Sequence, residues 1–312
     1  MYLPFLRGKQ FELLALRELA GLPLIGSKIS PIIEPVKKDL KSVETAIKVL
    51  SQVDVNMHVV VNPEHGELKK SYDPIFDAIS RLNALGYNNI VPTYLIATEK
   101  DYAFFKISVE THGHLDSGYS LVLLNQISDA AELKNIVNNS NIKYNLIHVN
   151  HLISLRRGFS TDSLGFLSDP FVRQKRNVDY FDAEDEIFSS DCFYYREEGF
   201  VAFSDYLTIG SEYIEGGMLP YTVAIHLTYN DQNSDNIRIR HFLSDSNQDI
   251  SDTAGKFGEA LDKLVEFIDD ENIHTMAAEQ FRNYHQRGAY PGLGVLKKLS
   301  IMHHIELIQS LI

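Results

Sequence analysis

Four side chains in this sequence have active-site chemistry and a spacing that lets them share one site: Lys9, Glu34, His148 and Asp205. Each stands at or just past the end of a short apolar run. A lysine neutralises a phosphate or, where burial lowers its pKa, acts as a base or a Schiff-base amine. A histidine moves protons near neutral pH. Glu34, Asp182 and Asp205 would supply enough carboxylate oxygen for a hard cation such as Mg2+, with amide carbonyls as further ligands. Arg7, Asn62, Tyr94, Asn125 and Asn150 end other apolar runs and complete an expected ring of ligand-binding groups.

Two loops add to this ring. His151–Arg176 carries Arg156, Arg157, Arg173, Lys175 and Arg176 against Asp162 and Asp169. Arg156 and Arg157 are expected to bind phosphate there, and the Gly- and Ser-rich composition suits a lid. "NPEHGE" at Asn62–Glu67 either brings Glu64 and His65 over the same site or is a plain loop. The rival reading of the ring is that Asn and Asp end strands because they favour turns and helix N-caps. For the basic segment, the rival is a solvated or partner-docking loop.

Strand-like runs that would position these groups occur at Tyr2–Leu6, Ile29–Glu34, Met57–Asn62, Ile90–Ile96, Ser120–Asn125, Asn145–Asn150, Asn177–Asp182 and Phe200–Asp205. They recur at roughly 30-residue intervals, the length of a βαβ unit. Helical spacing of apolar residues appears between them, at Lys41–Leu50, Tyr72–Leu85, Lys100–Thr111 and Ala130–Val137. Crossover helices make successive strands parallel, which predicts a (β/α)8 barrel with its site at the C-terminal strand ends. An open doubly wound parallel sheet is the alternative. Strand parity puts His58 on the face of Asn62 and His148 on that of Asn150.

After Asp205 the pattern changes. Tyr221–Tyr229 and Ile237–Leu243 flank the polar turn "NDQNSDN" and predict a hairpin. Helices are expected at Thr253–Ile268, Thr275–Gln286 and Val295–Leu311. The expected organisation is a barrel over residues 1–215, with 216–312 packed on it as an elaboration and not as an independent domain.

A net charge of −13 argues against extended, non-specific nucleic-acid binding but leaves room for a small basic pocket. No apolar run approaches the roughly 20 residues of a membrane helix, so no membrane association is expected. The one cysteine, Cys192, has no partner for an internal disulfide. The N-terminal apolar run precedes its charges, unlike a signal peptide, and a cytoplasmic location is expected. G-x-S-x-G, H-E-x-x-H, Walker and G-x-G-x-x-G motifs are absent, and "TAGKFGEAL" lacks P-loop spacing. The paired His303 and His304 cannot both face one metal from one helix, and "HGH" at His112–His114 reads as surface.

The opening "MYLPFLRGKQFELLALREL…ISPIIEP" resembles the beta-protein family, named after a bacteriophage protein. Tyr2, Pro4, Lys9, Glu12, Ala15, Leu16, Pro31, Ile33 and Glu34 carry the resemblance, and "FSDYLTIG" looks like the family's Asp-Tyr segment. "LRGKQFE" is similar to a bacterial subgroup. The resemblance implies a fold and a link to phage–bacterium biology, with no named reaction.

The expected function is cation-assisted processing of a phosphoester or nucleotide by a hydrolase or transferase. In that scheme Glu34, Asp182 and Asp205 hold Mg2+, Lys9, Arg156 and Arg157 bind phosphate, and His148 moves a proton. The alternative is a non-catalytic barrel that binds a protein encoded nearby, in a phage-defence or toxin–antitoxin assembly. Leu296, Leu299, Ile301, Ile305, Ile308 and Leu311 would offer the interaction face. A small-molecule sensor is a third possibility.

Overall fold

A computed structural model describes every residue of the chain except Pro23, Gly217 and Met218. The chain forms two compact units. The first comprises Met1–Ser168 and Tyr194–Asp205 with Ile312, and the second Asp169–Phe193 and Tyr206–Leu311. The units therefore divide the chain after Ser168, Phe193 and Asp205 and not at one point near residue 215.

In chain order, the strands begin with β1 (Phe5–Leu6), β2 (Ile32–Ile33), β3 (Met57–Val60), β4 (Ile90–Ile96), β5 (Tyr119–Leu123), β6 (Ile142–His148) and β7 (Leu164–Ser168). There follow β8 (Asp185–Ser189), β9 (Ala202–Asp205), β10 (Ala224–Asp231) and β11 (Asn236–Leu243). The first unit is an eight-stranded parallel sheet in the order β1-β2-β3-β4-β5-β6-β7-β9. Its two edges meet: Leu3 N donates to the Phe203 carbonyl at 2.9 Å, and Phe203 N to the Met1 carbonyl at 3.0 Å. The sheet is thus an α/β barrel of the TIM type, as the recurring βα pattern predicts, and not an open sheet.

β1 and β2 are short because Pro4 and Pro31 have no N–H to give the ladder. Their carbonyls still take part, accepting from Ile32 N at 2.9 Å and His58 N at 2.8 Å. Most of the strands are buried on both faces, as a covered parallel sheet requires, whereas the first half of β6, with Lys143 exposed, is not. The intervening helices bury one stripe each; in Lys41–Ser51 it is Val43, Ala46, Ile47 and Leu50. Pro74 sits in the first turn of the helix Asp73–Ala84, where its missing N–H is harmless. Thr98 and Asp101 form a reciprocal capping box at the start of Glu99–Thr111, with Asp101 N to Thr98 Oγ1 at 3.3 Å and Thr98 N to Asp101 Oδ2 at 2.8 Å.

One strand assignment changes. Asn177–Asp182 alternates like a strand but belongs to a 3-10 helix, Asn177–Ala183, in the second unit. The seventh barrel strand is β7, whose "LGFLS" is too short to stand out from the Gly- and Ser-rich residues around it. The expected lid His151–Arg176 therefore contains a barrel strand, which rules it out as a single moving loop.

The second unit carries an antiparallel sheet in the order β10-β11-β8, with the predicted hairpin joined by β8 on the β11 side. The helices Thr253–Asp270, Met276–Arg287 and Leu293–Leu311 complete it. Leu296, Leu299, Ile301, Ile305 and Ile308 are buried, so the expected interaction face of the last helix is core. His303 and His304 are buried as well: His303 bonds to the Thr228 carbonyl and Thr275 Oγ1, and His304 Nδ1 meets Thr228 Oγ1. Among the described residues no helix is long and apolar enough to cross a membrane.

Candidate functional site

The C-terminal end of β1 turns into the helix Gln10–Gly21 through Arg7, Gly8 and Lys9. Gly8 has a φ of +59°, and a Cβ there would sit 3.3 Å from the Glu34 carbonyl oxygen. Lys9, partly exposed, is the helix N-cap, and Glu12 is its N3 residue. The buried Glu12 carboxylate closes the turn by accepting from Arg7 N at 2.7 Å and from Lys9 N at 3.4 Å. Its acidic charge also suits a helix N-terminus.

Glu34 follows β2 and is 1% exposed. Its Oε1 accepts from the backbone N–H groups of Glu64 at 2.8 Å and His65 at 3.0 Å. The His65 Nδ1 lies 3.0 Å from Oε1 and 3.2 Å from Oε2. Arg7, itself 4% exposed, brings Nε to 3.5 Å from Oε2. A buried carboxylate is costly unless its lone pairs are used. Here two backbone donors and an imidazole use them, and the guanidinium adds the opposite charge of an ion pair.

The "NPEHGE" segment is folded to supply those donors. Gly66 adopts a φ of +74°, and a Cβ on it would fall 2.1 Å from the Val36 carbonyl oxygen, so no other residue fits without displacement. Next to it, Glu67 N donates to the Val36 carbonyl at 2.8 Å, while Glu67 Oε2 accepts from Lys38 N at 3.0 Å. Asn62 anchors the other side, giving Nδ2 to the Leu95 carbonyl at 2.6 Å and accepting from Leu95 N at 2.9 Å. The loop is thus stitched to the chain after β2 and to β4, with Glu64 and His65 between the stitches.

The electrostatics distinguish these two residues. Burial raises the Glu64 pKa, and Asp101 and Glu34 raise it further against the opposing pull of His65 and Lys69. Tyr72 is raised in the same way by burial, Asp101 and Glu64. Glu64 is therefore a carboxyl biased towards its neutral, proton-bearing form. His65 is one-third exposed, with Nδ1 directed at a carboxylate. That contact sets Nδ1 as the N–H side of the neutral ring and Nε2 as the proton acceptor.

The other expected site residues are dispersed. Asn62 is a buried brace and not a ligand group. Tyr94 points to the helix layer, where its hydroxyl meets Ser108 Oγ at 3.2 Å and His114 Nδ1 at 2.8 Å. It does not join the ring, and His114 is buried rather than on the surface. Asn125, exposed past β5, gives Nδ2 to the Ala97 carbonyl at 2.9 Å and meets His151 Nε2 at 3.2 Å. His148 ends β6, and its Nδ1 accepts from the N–H of the exposed Asn150 at 3.3 Å, capping the next turn. Asp205 is buried at the end of β9, accepting from the Tyr2 hydroxyl at 2.7 Å. His58 is buried in β3, its ring 5.5 Å from that of Tyr144 and its Nδ1 without a hydrogen-bond partner.

Arg156 and Arg157 are at the wrong end of the barrel for the expected phosphate role. The Arg156 guanidinium lies 5.0 Å from the Phe200 ring, which precedes β9, and reaches the Glu198 carbonyl at 3.5 Å. Gly158 and Ser160 bond to Asn138, the last residue of the helix Ala130–Asn138. Both contacts are on the N-terminal side of the strands. The segment leaves β6 and runs back down the barrel to start β7, so its charges cannot stay at the mouth.

The expected Mg2+ set is not assembled on the barrel strands. Asp182 is exposed on the 3-10 helix of the second unit, and Glu34 and Asp205 are engaged as above. Among the described residues no group of three or more His, Cys, Asp or Glu side chains has the arrangement to hold a metal.

No family model matches the chain, and no curated protein matches it. Asp101 and Tyr72 belong to the site's electrostatics but were not expected there. The "TEKD" capping box at the end of the fourth strand was the legible signal for Asp101; for Tyr72 there was none.

Proposed function

We propose that the barrel mouth is a general acid–base site, with His65 as the proton acceptor and Glu64 as the proton donor. The observation that carries this reading is the Glu34–His65 pair, an imidazole Nδ1 held 3.0 Å from a buried carboxylate. Such a pair fixes the tautomer and stabilises the imidazolium that forms when Nε2 takes a proton. Glu64, adjacent in sequence and raised in pKa by burial and by the nearby Asp101 and Glu34 carboxylates, supplies the complementary acid; a carboxyl perturbed in this way beside a positioned imidazole is a common mark of a catalytic site. Glu34 is then a positioning residue, as is Arg7, which holds Glu34.

A phosphate-containing substrate remains the finer form of the proposal. With Arg156 and Arg157 at the opposite end, Lys9 is the expected cation that stays at the mouth. Membership of the beta-protein family, with its link to phage–bacterium conflict, is part of the same proposal. Lys9 and Glu34 carry both the resemblance and the site. The partner-binding alternative loses its expected helix face to the core.

The test is a turnover screen of phosphomonoesters, nucleotides and carboxylic esters with the wild type, His65→Gln and Glu64→Gln. A real activity should fall by about 10²–10⁴-fold in each variant, the range for loss of a general acid or base. Unchanged turnover in both, or no turnover of any compound by the wild type, would count against the proposal.

A further inference from the structure

The second unit contains a pair of histidines, one buried and one partly exposed, beside a cleft. His226 in β10 and His241 in β11 face each other across the hairpin, Nδ1 to Nδ1, at 2.6 Å. At that separation one nitrogen donates and the other accepts, so the pair holds one proton between the two Nδ1 atoms. His241 Nε2 lies 3.3 Å from Glu186 Oε1. A carboxylate there selects the tautomer in which His241 donates from Nε2 and accepts at Nδ1. His226 then donates from Nδ1, and its Nε2 is a bare acceptor. Tyr180 and Phe171 wall the pair, with ring centroids 4.8 Å and 5.2 Å from that of His226.

His226 lines a cleft of about 830 Å³ whose other walls carry Arg173, Lys175, Lys297, Glu212 and Thr208. Three cations against one carboxylate leave this cleft basic in a chain of net charge −13. Arg173 is placed by an ion pair with Glu212 at 3.5 Å. The loop that carries Arg173 and Lys175 is held next to the histidines: Gln174 N donates to the Tyr180 hydroxyl at 3.1 Å, and Asn177 Nδ2 to the Thr222 carbonyl at 2.7 Å. A second observation points to a ligand. Thr208 is 5% exposed, and its hydroxyl has no hydrogen-bond partner in the protein although it lines this cleft. A buried hydroxyl left unpaired is costly, and a ligand oxygen would satisfy it.

We infer that this cleft is a second ligand site, one that takes a dianionic phosphate monoester. Arg173, Lys175 and Lys297 neutralise the phosphate, Thr208 donates to one of its oxygens, and His226 Nε2, held as an acceptor by His241 and Glu186, accepts from a hydroxyl of the ligand. The net lining charge matches a dianion better than a single carboxylate. The inference does not rest on the acid–base reading of the barrel mouth.

The test is a titration of the full chain with inorganic phosphate, read by the imidazole resonances in ¹H–¹⁵N spectra and by calorimetry, with chloride at matched ionic strength as the control. Saturable shifts at His226 and His241 are expected, as is at least a tenfold weaker affinity in the Lys175→Gln/Lys297→Gln variant. Thr208→Val, which removes only the hydroxyl, should weaken binding as well. The lysines are not fully buried, so their variants keep the fold; a far-UV spectrum checks this. Shifts reproduced by chloride, undiminished affinity in the double variant, or equal binding of succinate would overturn the assignment.

Discussion

Replacing Glu34 by Gln tests whether this carboxylate organises the barrel mouth. The amide keeps the shape and one acceptor oxygen, which can still serve the N–H groups of Glu64 and His65. Its NH2 group, however, faces two donors where Oε2 faced none but acceptor-seeking groups: Arg7 Nε at 3.5 Å and His65 Nδ1 at 3.2 Å. With Arg7 4% exposed and Glu34 1% exposed, water cannot make good the loss. Breaking a buried pair by removing one charge costs about 3–5 kcal/mol, and neutralising the acceptor weakens its remaining bonds towards about 1 kcal/mol each. The expected destabilisation is therefore about 4 kcal/mol. The chain has no Trp, so urea unfolding is followed by circular dichroism. The amide protons of Glu64 and His65 should exchange faster in native-state hydrogen exchange. Arg7→Met should cost a similar amount, and the double variant less than the sum. A loss below about 1 kcal/mol for Glu34→Gln, with unchanged exchange at Glu64 and His65, would refute the clamp.

Two further outcomes follow from the same geometry. Gly66→Ala adds about 1–2 kcal/mol of left-handed backbone strain to the collision with the Val36 carbonyl. It should destabilise the fold by more than that strain alone and reduce any turnover with it; an alanine variant of wild-type stability would mean the loop is not stitched there. His58 contributes to acid sensitivity, alongside the likewise lowered His114 and His303: burial pushes its pKa down from 6.5 to about 3, so the folded chain keeps it neutral. Because the folded pKa is the lower one, the unfolded chain takes up the proton first. The stability contributed is full above pH 6.5 and declines as pH falls towards 3. The decline is about 1.4 kcal/mol per pH unit, or about 2 kcal/mol between pH 6.5 and pH 5. His58→Asn should remove one proton from the uptake on unfolding at pH 5, measured from the pH dependence of urea midpoints. An unchanged slope would show that His58 takes up no proton on unfolding at that pH.

The barrel was legible because its signal is local. All the barrel strands but β7 contain or adjoin an apolar run, the early crossovers have a helical stripe, and Pro74 and the Thr98–Asp101 box punctuate them in the expected places. The importance of "LRGKQFE" and of Glu34 was legible too, since a polar residue ending an apolar strand is a local fact. The sequence by itself determined the fold class and all but one of the strand ends at which chemistry could gather, the seventh, assigned to Asp182, lying instead at Ser168. It did not determine which polar residues meet. Tyr94 and Asn62 both sit near strand ends, yet one faces the helix layer and the other braces a neighbouring strand, a choice made by side-chain direction. Arg156 and Arg157 come soon after β6, but the chain has already turned back towards the opposite end to start β7. Glu64 and His65 read equally well as a plain loop until Gly66 is packed against Val36 and their N–H groups reach Glu34. His226 and His241 are fifteen residues apart and become a pair only through the antiparallel register of β10 and β11. Pairing across sequence distance depends on register, on the direction of the returning chain and on close backbone approach, and these are properties of the tertiary structure alone.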